Sequence, residues 1–208
     1  MFEWSMPAED FYYTIDAPLR APDLKVKGSR FLAEIIPVHS KDEVETALLN
    51  IRKEFHDATH HCFAYRIGAD ALQVRAADDG EPAGTAGKPI LLVLTARKLT
   101  NVLLVITRYF GGTKLGTGGL ARAYAEAAQQ AVSMSKVVRV YLTSNVSLEV
   151  HYEDMPRMER LLHAFGGLIE ESTYLESVTL RVAIRQSQIQ EFLRAVTETF
   201  QGRVVPRS

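Results

Sequence analysis

The sequence predicts an α+β protein in two domains. Three observations lead there. Strand-like and helix-like runs of ordinary length are mixed throughout. The last third reads β-α-β-β-α-β, the order of a ferredoxin-like sandwich. The 208 residues are enough for one large domain or two small ones with real cores.

Tyr12 to Ile15 and Arg30 to Val38 read as the first strands. Ser40 followed by Glu43 is a capping box, and Val44, Ala47, Leu48, Ile51 and Phe55 then recur at helical spacing, so Lys41 to Phe55 is a helix. Cys62 to Ile67 and Leu72 to Arg75 are the next strands. Asp78-Asp79-Gly80-Glu81-Pro82 is a turn, because Asp-Gly favours positive φ and Pro stops pairing. Thr85 to Lys98 reads as a helix capped by Thr85, although its apolar run from Ile90 to Leu94 would also suit a strand. The helix is preferred because Asn101 to Phe110 is a buried strand directly after it. Leu120 to Met134 is an alanine-rich helix suited to lying close on a sheet, and Val137 to Leu142 returns as a strand.

A boundary near Thr143 to Asn145 gives domains of residues 1–143 and 144–208. Beyond it, Val146 to Tyr152 alternates as a strand. Met155 to Phe165 is a helix ended by Gly166-Gly167, and Leu168 to Tyr174 with Val178 to Ile184 makes a strand pair. Ile189 to Phe200 is a helix with Phe192, Leu193 and Val196 inward, and Arg203 to Val205 is a short closing strand.

Composition is ordinary globular, 47% hydrophobic and 24% charged. No apolar run approaches the ~20 residues of a membrane helix. The N-terminus has acids where a signal peptide needs bases, so a cytoplasmic location and no membrane partner are expected. One cysteine, Cys62, allows no internal disulfide. The net charge of −1 argues against a uniformly basic nucleic-acid binder. The charge is unevenly spread, however. From Pro82 to Ala125 there is no Asp or Glu, while Lys88, Arg97, Lys98, Arg108, Lys114 and Arg122 all fall there.

That stretch contains Gly111-Gly112-Thr113-Lys114-Leu115-Gly116-Thr117-Gly118-Gly119, between a buried strand and a helix. Glycines let backbone amides approach a ligand closely, and a helix start presents unpaired N–H groups with partial positive charge. Lys114 lies in the loop, Arg108 ends the strand before it and Arg122 lies just inside the helix. An anion site, most simply for phosphate, is preferred to a ligand-free turn because local charge and helix position agree. A Walker loop fails, since Thr117 stands where lysine must follow Gly116. A dinucleotide fingerprint at Gly116, Gly118 and Ala121 also fails. Residues 111–115 separate it from the strand, and no acid lies between Glu126 and Glu149 to hold a ribose.

The run RYFGGTKLGTGGLARAY (Arg108 to Tyr124), with DDGEPAGTAGKP (Asp78 to Pro89), HHCFAYR (His60 to Arg66) and KGSRF (Lys27 to Phe31), resembles the Impact family, in its bacterial YigZ-type members. The resemblance implies a first domain that is an α/β sandwich like the second domain of a small-subunit ribosomal protein and the fourth of elongation factor G. It implies a ferredoxin-like second domain like that factor's last. Members are linked to translational control or proposed to bind nucleic acid, and no reaction is established for them. Eukaryotic members act on an initiation-factor kinase pathway through an extra N-terminal domain. So few residues precede the first strand here that this role is not expected to carry over.

Three readings follow. The first is a non-enzymatic translation-associated regulator that binds RNA or ribosomal phosphates. Its site comprises Lys88, Arg108, Gly111, Gly112, Lys114, Gly116, Thr117, Gly118, Gly119 and Arg122, with the acidic turn Asp78, Asp79 and Glu81 attached. The second is a metal-assisted enzyme on a phosphorylated small molecule or nucleotide, in which those three acids recruit magnesium. The third is a protein-interaction regulator without nucleic-acid contact. A structural acidic turn is preferred to a metal site, because spacing alone does not make one. No cofactor and no catalytic residue are expected. His60 and Cys62 share a strand face opposite His61 and read as a hydrogen-bonded histidine and a core cysteine. Of Tyr109 and Phe110, alternation leaves one outward, where a base can stack.

Overall fold

The computed structural model describes residues 10–204, and the contacts divide them into a unit of residues 12–140 and a unit of residues 141–204 that also takes in residues 10–11. Residues 1–9, on which the reading of the N-terminus rests, lie outside the description. No described helix is long and apolar enough to cross a membrane.

The strands of the first unit are β1 (Phe11–Ile15), β2 (Leu19–Arg20), β3 (Leu24–Val26), β4 (Ser29–Pro37), β5 (His60–Ile67), β6 (Gln73–Ala77), β7 (Val102–Tyr109) and β8 (Val137–Tyr141), with Phe11 and Tyr141 at the ends of β1 and β8 counted to the other unit. The helices are α1 (Lys41–Glu54), α2 (Gly87–Ala96) and α3 (Gly116–Met134). The main sheet runs β2-β4-β7-β5-β6, with β3 also paired to β4 and every pairing antiparallel. Strand alternation splits the side chains into two layers. Phe31, Ala33, Ile35, Cys62, Ala64, Leu104 and Ile106 meet α2 and α3 on one face. Phe63, Tyr65, Ile67, Leu103 and Val105 meet Val44 and Ile51 of α1 on the other. β1 and β8 form a separate two-stranded sheet.

The Ser40 half of the capping box forms, with Ser40 Oγ accepting from Glu43 N at 3.2 Å, while Glu43 accepts from His39 N, one residue before the cap, at 2.9 Å. The Thr85–Lys98 segment is a helix, but its start differs from the sequence reading. Thr85 donates its hydroxyl to Pro82 O, and Asp78 receives the first helical N–H groups instead. β6 lies two residues beyond the expected strand and leaves Leu72 out. β2 and β3 are additional strands of two and three residues.

The second unit contains β9 (Thr143–Val150), α4 (Met155–Ala164), β10 (Leu168–Tyr174), β11 (Val178–Arg185) and α5 (Ile189–Phe200). Its sheet order is β10-β11-β9, both pairs antiparallel. This is the ferredoxin-like arrangement as far as the described residues reach. Val146, Leu148 and Val150 with Leu180, Val182 and Ile184 form the inward layer against Met158, Leu162, Phe192 and Val196. β9 starts three residues earlier than read and ends before Tyr152, which begins a 3₁₀ turn. Arg203 and Val204 lie in a bend, and Val205 of the expected closing strand is outside the described residues.

Candidate functional site

Four sequence motifs converge on the end of the first unit where β7 runs into α3. The turn between β3 and β4 has positive φ at Lys27 (46°) and Gly28 (82°) and presses against Gly111. A Cβ on Gly111 would stand 1.9 Å from the Gly28 carbonyl carbon, so only glycine lets the two chains pass. Ser29 Oγ accepts from Gly111 N and from Arg108 Nη2, each at 3.2 Å, which ties hairpin, strand and loop together.

Arg108 lies on the β7 face that meets α2 and α3, and it is only 4% exposed. Its Nη1 donates to Glu81 Oε1 at 2.5 Å, and the same oxygen accepts from the Tyr124 hydroxyl at 2.8 Å. The guanidinium stands 5.4 Å from the Phe31 ring centre and 5.6 Å from that of Phe110. The sequence reading took Arg108 as a phosphate contact. The structure places it inward, because strand alternation puts it on the same face as Leu104 and Ile106.

The acidic turn is held from three sides. Asp78 accepts from Gly84, Ala86 and Gly87 N at 2.8–2.9 Å and so caps α2 from outside the helix. Burial pushes its carboxyl up, but these three donors outweigh that and hold it below the usual range. Asp79 accepts from His61 N and from Arg52 Nη2, both at 2.7 Å. Its carboxyl is likewise lowered, with burial opposing the two hydrogen bonds. Glu81 faces Arg108 and Tyr124. The three carboxylates therefore point to three different partners. Among the described residues no three His, Cys, Asp or Glu side chains gather where they could hold a metal ion.

His60 Nδ1 lies 2.8 Å from the Asp79 carbonyl, which can only accept, so that nitrogen carries the proton. Its Nε2 faces Glu81 at 4.0 Å. Cys62 Sγ lies 3.0 Å from the Asp78 carbonyl and 3.2 Å from the Tyr124 hydroxyl, on the same side as His60. Burial pushes this thiol up to about 12, and the neighbouring acids add to it. It is a core cysteine. His61 turns the other way, to Thr107 Oγ1 at 3.1 Å.

The outward half of the segment is exposed. Gly112, Lys114, Thr117, Gly118 and Arg122 all face solvent, as does Lys88 on α2. Four residues read as loop, Gly116 to Gly119, are the first turn of the 19-residue α3. No side chain caps that terminus and no acid stands in its first turn. Tyr109 is anchored to Asp57 by its hydroxyl at 2.8 Å, and Phe110 is the outward ring, 47% exposed. Sequence reasoning missed two members of this site. Tyr124 was only the end of a signature. Ser29, within KGSRF, had no visible partner 79 residues away.

Residues 27–132 match the family model described as Impact N-terminal domain, and residues 148–203 match a Domain of unknown function (DUF1949). The chain is 34% identical over 204 residues to "IMPACT family member YigZ" of Escherichia coli, covering 97% of this chain and 96% of that one. It is 34% identical over 181 residues to "IMPACT family member YvyE" of Bacillus subtilis, covering 87% and 83%. A solved structure described as "Crystal structure of an hypothetical protein" superposes with a TM-score of 0.69 at 32% identity, over 97% of this chain and 98% of that one.

Proposed function

The chain belongs to the Impact family, and from that premise we propose that it is a non-enzymatic, translation-associated regulatory protein that binds RNA or ribosomal phosphates at the start of α3. One observation carries this reading. A 19-residue helix begins at the surface with no capping side chain and no first-turn acid, in the middle of a stretch without Asp or Glu. Its free N–H groups and macrodipole favour an anion. Lys114 stands beside it, Arg122 lies one and a half turns in, and Lys88 is exposed on α2. In this assignment Gly116, Thr117, Gly118 and Gly119 offer backbone, and Gly112 gives the loop its turn. Arg108, Gly111, Asp78, Asp79 and Glu81 hold the loop in place rather than touch the ligand. The translational setting comes from what the family resemblance implies, and the phosphate from α3.

The test is RNA and ribosome association of the wild-type chain and of Lys114→Glu across a salt series. Log affinity is expected to fall with log salt by about 0.7 per single-strand phosphate contacted, and the variant to lose affinity at low salt. Absence of any RNA or ribosome association at low salt overturns the reading.

A further inference from the structure

Helix α2 has an unusual composition for a surface helix. GKPILLVLTA carries a single charge, Lys88, and is apolar nearly all round. That pattern belongs to helices covered on every side. Its inner side, Ile90 and Leu94, is fully buried on the sheet, but Leu92 on its outer side is 57% exposed. Between α2 and α3 runs an open groove of about 450 Å³, lined by Pro89, Leu92 and Val93 from one wall and Ala121, Arg122 and Ala125 from the other. Arg122 and Gln129 supply its only polar side chains.

The two helices that wall the groove carry or adjoin in sequence several cations. Lys88, Arg97, Lys98, Lys114 and Arg122 are all exposed, and none forms an ion pair among the described residues. Some basic residues elsewhere are paired, Arg20 with Glu34 and Glu54, Arg30 with Asp23, Arg52 with Asp79, Lys136 with Asp16 and Arg181 with Glu171, while others, such as Lys41, Lys53 and Arg157, are likewise solvated. Lys88 stands one turn from Leu92 on the same side of α2, and Arg122 opens into the groove from α3. Glu126, one turn beyond Arg122, does not pair with it.

We infer that this groove docks an acidic amphipathic helix of a protein partner. The helix lays aliphatic side chains between α2 and α3 and turns its carboxylates to Lys88 and Arg122. The chemistry selects a helix over the alternatives. The walls are helices whose backbone groups are already paired, so they offer no edge to an added strand. The groove holds no aromatic ring for a base to stack on and only one guanidinium for phosphate, so its aliphatic lining does not suit nucleic acid. An apolar face filling the floor, with anionic flanks, matches both the Leu92 side and the unpaired cations. This inference goes beyond the phosphate reading and does not rest on it.

The probe is a fluorescein-labelled peptide of about 16 residues, long enough to populate a helix. It carries leucines at helical spacing on one face and glutamates on the other, and its binding to the full chain is read by anisotropy. Saturable binding is expected, with Leu92→Asp and Arg122→Glu each weakening it at least about tenfold while circular dichroism stays unchanged. Leu92 is exposed, so its replacement leaves the core intact. The inference is overturned by any of four results: no binding up to about 1 mM peptide, equal binding of a peptide with scrambled leucine spacing, equal binding of a lysine-for-glutamate peptide, or either variant binding within twofold of wild type. It is also overturned if an RNA oligomer binds the groove in a Leu92-dependent manner. The peptide assay at Leu92 and the RNA assay at Lys114 fail independently.

Discussion

Gly118 separates the two demands on the glycine-rich segment. It sits at the third position of α3 with ordinary helical φ, and a Cβ built there meets no heavy atom within 4 Å. Neither backbone conformation nor packing therefore requires glycine. Replacing it with alanine removes backbone entropy from the unfolded chain and raises helix propensity. The gain is about 1 kcal/mol in a helix interior, and roughly half to all of that is expected in a first turn. For a unit of residues 12–140 that raises Tm by about 2–4 °C. If a phosphate approaches the α3 amides, the new methyl group stands in its way. RNA affinity is then expected to fall about tenfold, or ~1.4 kcal/mol. Thermal unfolding followed by circular dichroism reads the first effect, and RNA anisotropy at fixed low salt reads the second. The two readouts should move in opposite directions. A lower Tm refutes the claim that the fold does not need glycine here. A higher Tm with unchanged RNA affinity refutes the placement of the ligand at this terminus.

Other perturbations probe the scaffold beneath. Glu81→Gln strands the Arg108 charge in a pair whose side chains, Arg108 and Glu81, are only 5% and 3% exposed, and should cost about 3–5 kcal/mol in urea unfolding. A loss under ~1 kcal/mol would sink the idea that this pair anchors the loop. Asp78→Ala removes the acceptor for three amides and is expected to cost about 2 kcal/mol at pH 7. Because the folded carboxyl is held below its unfolded value near ~3.9, that contribution is complete above about pH 5. It is lost as pH falls through the folded value, so the gap between wild type and variant should narrow as pH drops below about 3.9, and a constant gap would contradict this. Cys62, with its thiol pushed up to about 12, should react with iodoacetamide at pH 8 some 10³-fold more slowly than an ordinary cysteine until the chain is unfolded. Equal labelling of folded and unfolded protein would show that the thiol is not held as described.

Local signals were legible where the chain closes its own hydrogen bonds. Ser40 and Glu43 are three residues apart, and the helix they start is found where expected. The alternation of Val146, Leu148 and Val150 placed the inward face of β9, although the strand begins earlier, where polar Thr143 to Asn145 pair with β11. Long-range closures were not legible. α2 is capped by Asp78, eight and nine residues before the amides it accepts, so Thr85 looked like the cap. β2 and β3 are shorter than the window in which alternation can be seen. Gly116 to Gly119 read as loop because glycine opposes helix. They are helical because Leu120, Ala123, Tyr124 and Ala127 pack the rest of α3 onto the sheet, and tertiary burial outweighs propensity.

The cationic run that marks the segment in sequence is two populations once folded. Arg108 is neutralised by Glu81 and clamped by Ser29. It contributes little to the potential outside and much to where the chain turns at Gly111. Gly111 cannot take a side chain because Gly28 passes against it, so KGSRF and RYFGG depend on each other through backbone contact. Lys114, Arg122 and Lys88 remain solvated and form no ion pair among the described residues. Any ligand that follows charge therefore meets these three and the α3 terminus, set at fixed positions by the buried half. It follows that a change at Arg108 should appear in stability and a change at Lys114 in the salt slope of RNA binding, though both are basic residues six positions apart in one signature.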